Sequence, residues 1–330
     1  MRIFDLHKPW TRRKTLALGT RMAAGVAAAV TLGSRSAFAD AVQNDGGSAP
    51  SDDVKHKIEE IIKAKGKTSN GVFSISVDRK DLKNVQLHGT PIKASFQLNG
   101  DFYFQTDRSG RSLMNGDFPL KPEELDPFIH QLVEHDIVFQ AEHQHLYDFQ
   151  PMVWFVHFRA AGDAEQIARG IKAALQTTST PFPQKPPQNP TTPLPAKQIG
   201  EIIGAKPSIA EDGVVTLNVP RAETIRLGGM VANPYLNIAA PIAFQPLGNG
   251  DAAAVPDFAM LASEVNKVVK VMQKQGWDIG CLYNQETDEQ PQLYFSHHFK
   301  TGNALQLARE IRNGLNQTNS KFGDLPPDSS

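Results

Sequence analysis

The stretch GDAEQIARGIKAALQTT, residues 162–178, returns later in the chain as GNALQLAREIRNGLNQT, residues 302–318. The same offset of 140 residues aligns Asp117 with Asp257 and His157 with His297. Self-similarity at one fixed offset is the signature of an internal repeat. The sequence therefore predicts two tandem copies of one fold.

Each copy shows the hydrophobic periodicities of both strands and helices. GVFSISV, residues 71–77, alternates apolar and polar residues as a half-buried strand does. PEELDPFIHQLVEHD, residues 122–136, has apolar residues at the spacing of one helix face, namely Leu125, Phe128, Ile129 and Leu132. The expected fold class is α+β, with each repeat a mostly antiparallel sheet covered by helices.

Composition sets the predicted boundaries. The segment TPFPQKPPQNPTTPLPAK between the copies is rich in proline, which favours an extended, semi-rigid linker. We predict, in chain order, a signal peptide at 1–39, a disordered segment at 40–53, the first repeat at 54–180, the linker at 181–197, the second repeat at 198–322 and a tail at 323–330.

The first 39 residues have the organisation of an export signal. A basic start is followed by the small apolar run MAAGVAAAVTLG and by Ala37-Phe38-Ala39, which fits a cleavage site. The pair Arg12-Arg13 fits a twin-arginine signal, and an ordinary basic n-region explains it equally well. We therefore expect a bacterial periplasmic or secreted protein, cleaved near Ala39.

Charge and cysteine content exclude several classes of protein. The formal net charge is −1 and basic clusters are missing from the mature region, which argues against nucleic acid as a partner. No apolar run after the signal approaches the roughly 18 residues of a membrane span. Cys281 is the single cysteine, so internal disulfides are excluded. Its place in the strand-like WDIGCLY favours a small buried residue over a reactive thiol.

Three histidines fall in AEHQHLYDFQPMVWFVHF, residues 141–158, which has the pattern of a β-hairpin. With a turn near Phe149, His143 lies opposite position 155 and His157 opposite position 141. His143 and His157 then share a face, with Cβ atoms about 7 Å apart. His145 would lie about 13 Å from His157, so we expect that one ion does not bind all three histidines.

These side chains suggest a transition-metal site in the first copy. Imidazole and carboxylate together suit Zn, Cu, Ni or Fe, and we place zinc first. The candidate ligands are His143, His145, His157, Asp117 and Glu124.

Each candidate also has a plainer explanation. A His-x-His pair can be a solvated strand face, Asp117 can be a turn residue, and Glu124 can stabilise a helix start. At the positions of the His-x-His pair the second copy has Tyr283 and Gln285, so we expect only the first copy to bind metal in this way.

The segments HGTPIKASFQLNGDFYFQ, NGDFPLKPEEL and EHQHLYDFQPMVWFVHFRAAGDAEQIARGIKAAL resemble the LppY/LpqO family of exported bacterial proteins, a domain of unknown function. The resemblance covers about residues 54–180 and again 198–320. Five residues match the family's hairpin pattern, namely His143, His145, Pro151, Phe155 and His157. Gln144 replaces the family's Asn, and Tyr147-Asp148 stand in the turn without the family's Gly-Glu. The resemblance implies a relationship of fold and names no reaction.

Two functions of different class follow from these observations. The first is a metal site that supports either metal-assisted hydrolysis or metal capture. The second is a non-catalytic periplasmic module that binds an unknown small molecule or a component of the cell envelope. Whether the protein is an enzyme stays open, and the sequence assigns no catalytic residue.

Overall fold

The computed structural model describes residues 47–184 and 190–323. The predicted signal peptide, residues 40–46, the linker positions 185–189 and most of the tail lie outside the described residues. The described residues of both repeats belong to one compact unit. Within the described ranges, every helix falls short of the length and apolarity that crossing a membrane requires.

The first repeat contains four helices, nine strands and one 3₁₀ turn. The helices are α1 Asp52–Ile62, α2 Ala94–Gln97, α3 Leu125–Glu134 and α4 Ala164–Leu175, and the 3₁₀ turn is Pro122–Glu124. The strands are β1 Gly66–Ser69, β2 Val72–Asp78, β3 Gln86–Leu87, β4 Thr90–Pro91, β5 Asn99–Thr106, β6 Ser112–Leu120, β7 Val138–His143, β8 Phe149–Gln150 and β9 Trp154–Gly162.

The second repeat follows the same order with fewer short elements. Its helices are α5 Ala196–Ile203, α6 Ala262–Lys274 and α7 Ala304–Leu315. Its strands are β10 Ser208–Ile209, β11 Val215–Val219, β12 Arg226–Leu227, β13 Met230–Val231, β14 Ala240–Gly248, β15 Asp251–Met260, β16 Asp278–Ile279 and β17 Tyr294–Asn303.

Each repeat builds one six-stranded sheet, and the two sheets have matching strand orders. The orders are β1-β2-β5-β6-β9-β7 and β10-β11-β14-β15-β17-β16. The strand pairs described in these sheets are antiparallel. The α+β fold class with two tandem copies, predicted from the sequence, is therefore confirmed.

One face of each sheet packs against the helices of its own repeat. Side chains alternate along a strand, so Phe73, Ile75 and Val77 of β2 all enter the first core, together with residues of α1, α3 and α4. The second repeat has an equivalent core between its sheet and α5, α6 and α7. Burial of these apolar surfaces is the main favourable contribution to folding.

The other face of each sheet contacts the other repeat. A mixed apolar cluster joins Phe155 of the first repeat to Val255 and Phe299 of the second. The order of layers through this unit is thus helices, sheet, sheet and helices. His157, which has the sequence position of a polar strand-surface residue, is consequently buried between the repeats.

Two buried glutamines tie the repeats together reciprocally. Gln105 donates to the Val231 carbonyl oxygen over 2.8 Å and accepts from the Asn233 N–H over 2.6 Å. Its counterpart Gln245 donates to the Pro91 carbonyl oxygen over 2.7 Å and accepts from the Lys93 N–H over 2.8 Å. Because both ends of each amide are used, the pairing of the repeats has one defined register.

Candidate metal centre

Strands β7 and β9 place His143 and His157 on one face of the first sheet. His143 lies opposite Phe155, and Ala141 lies opposite His157, which confirms the predicted register. Both imidazoles point to the space between the repeats, and their Nε2 atoms are 2.9 Å apart.

His145 joins the same cluster, against expectation. Strand β7 ends at His143, and Phe149–Gln150 pairs with Gln86–Leu87 instead of extending the hairpin. The chain therefore folds back after His143, and the ring centroids of His145 and His157 are 5.9 Å apart. The predicted separation of about 13 Å is wrong, because it assumed a continuous ladder. One ligand atom from each of the three histidines lies within 4.8 Å of the others.

Oxygen atoms hold two of the three rings by their Nδ1 atoms. His143 Nδ1 is 3.1 Å from the Gln144 carbonyl oxygen, and His145 Nδ1 is 3.2 Å from Gln97 Oε1. An acceptor oxygen at Nδ1 selects the tautomer that carries its proton there, so Nε2 of each ring offers a lone pair. His145 Nε2 is buried and lacks a hydrogen-bond partner within the part of the chain that the structure describes.

The Nε2 pair of His143 and His157 suits a shared cation. With Zn–N bonds of about 2.0–2.1 Å, two ligand nitrogens lie about 2.9 Å apart at a right angle and about 3.3 Å apart at the tetrahedral angle. The observed 2.9 Å lies at the short end of this range. His157 Nδ1 is buried without a partner among the described residues, so no acceptor fixes its tautomer.

Burial keeps these imidazoles neutral at neutral pH. Desolvation lowers the pKa of His143 to about 4. The same cause lowers the pKa of His145 and that of His157 well below the ordinary value, and neighbouring histidines add to the effect. Neutral imidazole is the form that binds metal ions.

Asp117 lies beside the cluster, directly opposite His157 in the ladder between β6 and β9. Asn237 of the second repeat donates to its Oδ1 over 3.5 Å. Burial raises the pKa of Asp117 well above its ordinary value, and Asp101 and Asp257 add to the effect. A cation bound nearby would favour the ionised carboxylate.

The structure does not bring Glu124 to the histidines. Its carboxylate accepts hydrogen bonds from the buried Arg79 guanidinium and from the backbone N–H groups of Lys121 and Ser179. These contacts hold the start of the 3₁₀ turn, because charge-assisted bonds from arginine are strong in a buried site. The metal-ligand role expected of Glu124 is corrected accordingly.

The second repeat approaches the cluster with aromatic rings. The ring centroid of Tyr283 is 3.6 Å from that of His143, and the ring centroid of His297 is 3.8 Å from that of His145. The Tyr283 hydroxyl donates to Asp257 Oδ2 over 3.2 Å. Sequence reasoning missed these neighbours because it treated the second copy separately. The available signal was the fixed offset, which makes Tyr283 the counterpart of His143.

Cys281 lies on the far side of His297 from this tyrosine–aspartate pair. Its Sγ is 3.3 Å from His297 Nδ1, and the residue is half-buried. His297 Nε2 is 3.6 Å from Asp257 Oδ2. Burial raises the pKa of the Cys281 thiol and raises the pKa of Asp257 to about 7. Cys281, expected to be a small buried residue, thus contacts a polar atom, Nδ1 of His297.

Comparison with known proteins gives a family and no activity. No curated protein matches the chain. Among solved structures, the trimeric bacterial microcompartment shell protein PduB shares 9% sequence identity at a TM-score of 0.20, over 77% of this chain and 90% of that chain. Similarity at that level supports no conclusion about fold or function.

The model of one protein family matches the chain twice. The two matches span residues 56–177 and 197–317, which together make up more than half of the chain. They coincide with the two repeats that carry the matching sheets and the histidine cluster. The chain therefore belongs to the family described as a Domain of Unknown Function (DUF1259), of which it contains two tandem copies.

Proposed function

We propose that this protein binds one divalent transition metal, zinc first, through His143, His145 and His157. The supporting observation is that two of the three rings have Nδ1 fixed by an oxygen acceptor and Nε2 directed into one buried space. An acceptor on the far nitrogen is the usual arrangement behind a metal-bound histidine. Nitrogen ligands of this kind suit zinc, copper, nickel or iron.

Asp117 or a water molecule would complete the coordination. Asp117 is the carboxylate adjacent to His157 in the sheet. His143 is only partly buried, so the cluster is open to solvent on that side. Three protein ligands with an open position are typical of catalytic zinc sites, which lower the pKa of a bound water to about 7. Metal-assisted hydrolysis is the reaction that this arrangement favours, and metal capture is the simpler alternative.

The cellular setting of the proposal comes from the sequence. The predicted signal peptide ending near Ala39 and the resemblance to the LppY/LpqO family of exported proteins support a periplasmic or secreted protein. In that compartment we expect the partner to be a small molecule or a component of the cell envelope. The low net charge of −1 argues against nucleic acid.

Metal content of the purified protein tests the proposal. After dialysis against Zn²⁺ and gel filtration, the wild type should hold at least one equivalent. The double variant His143→Ala/His145→Ala should hold about one equivalent less than the wild type. The matched control His130→Ala/His135→Ala removes two exposed histidines of the α3 region and should bind like wild type. A wild type that retains almost no metal, or equal retention by both double variants, would contradict the proposal.

A second candidate function is a metal-independent ligand-binding module. A cleft of about 490 Å³ lies away from the histidines, where the turn after β5 meets the β12–β13 hairpin. Its lining includes Thr106, Ser109 and Arg226, and its volume lies in the range of small-molecule sites, about 300–1,000 Å³. A thermal shift caused by cell-wall fragments or sugars that persists in chelator and in the His143→Ala/His145→Ala variant would favour this function. Loss of the shift in chelator would favour the metal site.

A further inference from the structure

The second repeat places a sulfur donor where the first repeat has none. Cys281 is the counterpart of Ala141 at the offset of 140 residues. Ala141 lies opposite His157, and Cys281 contacts His297. In the second repeat the thiol Sγ is 3.3 Å from His297 Nδ1. In the first repeat, His157 Nδ1 has no partner within the described residues. The two copies therefore present different donor sets to the same interface.

A buried carboxylate stands behind His297. Asp257 Oδ2 is 3.6 Å from His297 Nε2 and accepts a hydrogen bond from the Tyr283 hydroxyl. Asp257 is 5% exposed, and its Oδ1 is buried without a hydrogen-bond partner in the described part of the chain. At 3.6 Å this contact is longer than a hydrogen bond, but a carboxylate on this side of the ring favours the tautomer that carries its proton on Nε2. Nδ1 is then the nitrogen directed to a ligand, and it faces the thiol.

The distance between thiol and imidazole fits one metal ion. With Zn–S about 2.3 Å and Zn–N about 2.0–2.1 Å, the two donor atoms of a tetrahedral site lie about 3.6 Å apart. The observed 3.3 Å needs only a small movement of the Cys281 side chain. Two protein ligands leave the remaining coordination positions of such an ion to water or to a bound molecule.

We propose that Cys281 and His297 form a second metal site, separate from the histidine cluster, for ions that favour thiolate and imidazole, such as Zn²⁺, Co²⁺, Cd²⁺ or Cu⁺. Binding replaces the thiol proton by a metal–sulfur bond and releases that proton to water. The ring of His297 stacks on that of His145 with centroids 3.8 Å apart, so the two sites are neighbours. Each repeat would thus bind one metal ion, and the two ions would lie at the same interface.

Cobalt(II) is the probe that separates the two sites. A thiolate bound to Co²⁺ gives an intense sulfur-to-metal absorption in the near ultraviolet, which nitrogen and oxygen ligands do not give. Cys281 is the one cysteine of the chain, so any such band reports on this residue alone. The variant His143→Ala/His145→Ala should retain the band with about one equivalent of Co²⁺. Adding Cys281→Ser to that variant should abolish it.

The intact chain provides a second measurement if the triple variant does not fold. Wild type should bind two equivalents of Co²⁺, of which one gives the sulfur-to-metal absorption and the other does not. Cys281→Ser alone should lose only the equivalent that gives this absorption. Asp257→Asn, as a positioning variant, should keep the band but weaken Co²⁺ binding there by about 10–100-fold.

Three outcomes would overturn the second site. They are a wild type that binds Co²⁺ without sulfur absorption, a band that survives Cys281→Ser, and a band that elutes only with a species of twice the monomer mass. A wild type that shows the sulfur-to-cobalt band but binds only one equivalent of Co²⁺ would contradict the metal site at His143, His145 and His157 instead. Failure of the second site and failure of the histidine site are therefore distinguishable.

Discussion

The two repeats share their backbone plan and their corner ion pairs but differ at the interface positions that carry ligand chemistry. Arg79 binds Glu124 in the first repeat as Arg221 binds Glu264 in the second. At the position of His143, in contrast, the second repeat has Tyr283, whose hydroxyl is hydrogen-bonded to Asp257. The ion pairs that stabilise the fold are thus present in both repeats, whereas each proposed set of metal ligands is present in one repeat.

A second difference concerns a single buried position. Leu146 in the first repeat is an apolar core residue, and its counterpart Glu286 is a buried acid that accepts hydrogen bonds from Asn115 and Gln285. Glu286 also contacts Gln140 Nε2, while Gln140 Oε1 is left without a partner in the described structure. A protonated Glu286 could donate to that oxygen after a flip of the Gln140 amide. Burial raises the pKa of Glu286 to about 7, so the acid is neutral below that pH.

Breaking the shared corner pairs should have the largest effect. Arg79→Met and Arg221→Met each remove the buried guanidinium that donates to a buried glutamate, so we expect the free energy of unfolding to fall by about 3–5 kcal/mol in each case. Urea denaturation measures the loss. Arg169→Met, which removes an exposed pair with Glu165, is the control and should lose less than about 1 kcal/mol. A large loss in only one of the two repeats would break the equivalence of the corners.

The buried acid should give the next largest effect, through pH. Burial raises the pKa of Glu286 from 4.5 to about 7. The folded state keeps this proton up to about pH 7 while the unfolded state loses it near pH 4.5, so this residue makes stability fall as pH rises through that window. Glu286→Gln should gain about 3 kcal/mol relative to wild type between pH 4.5 and 7.5, measured by urea denaturation. Glu201→Gln, an exposed change, should show no such trend, and parallel pH curves for Glu286→Gln and wild type would contradict the prediction.

The reciprocal glutamines should have a smaller and equal effect. Gln105→Ala and Gln245→Ala each remove two hydrogen bonds between the repeats and leave the backbone groups on the other repeat without these partners, so each should lower the free energy of unfolding by about 1–3 kcal/mol. The exposed Gln176→Ala is the matched control. Losses that differ by more than a factor of two would show that one repeat depends on the interface more than the other.

Moving the thiol from the second repeat to the matching position of the first repeat should have the smallest effect on stability. Ala141→Cys in a Cys281→Ser background places a thiol next to His157, whose Nδ1 has no partner among the described residues. We expect the free energy of unfolding to change by less than about 1 kcal/mol and the sulfur-to-cobalt absorption to appear. Absorption spectra with Co²⁺ measure the second effect. A folded protein without the band would show that the first repeat cannot reproduce the thiol–imidazole geometry.

Local pattern was sufficient for part of the site. The hairpin register that sets His143 opposite Phe155 was predicted correctly, because side-chain alternation and the turn position fix it within a few residues. The position of His145 was not, since it depends on the pairing of Phe149–Gln150 with Gln86–Leu87, more than sixty residues earlier. Glu124 was misassigned for a similar reason, because its partner Arg79 is distant in sequence. The predicted domain boundaries and signal peptide stay predictions.

The amino-acid sequence by itself determined the duplication, the α+β class and the strands that carry His143 and His157, because periodicity and self-similarity are properties of the chain that need no long-range contact. Only the tertiary structure decided that His145 turns back to its neighbours and that Tyr283, His297 and Cys281 reach the same interface. The physical reason is that two sheet faces must be buried against each other. Which side chains meet there depends on the packing of both repeats at once, and no local pattern contains that information.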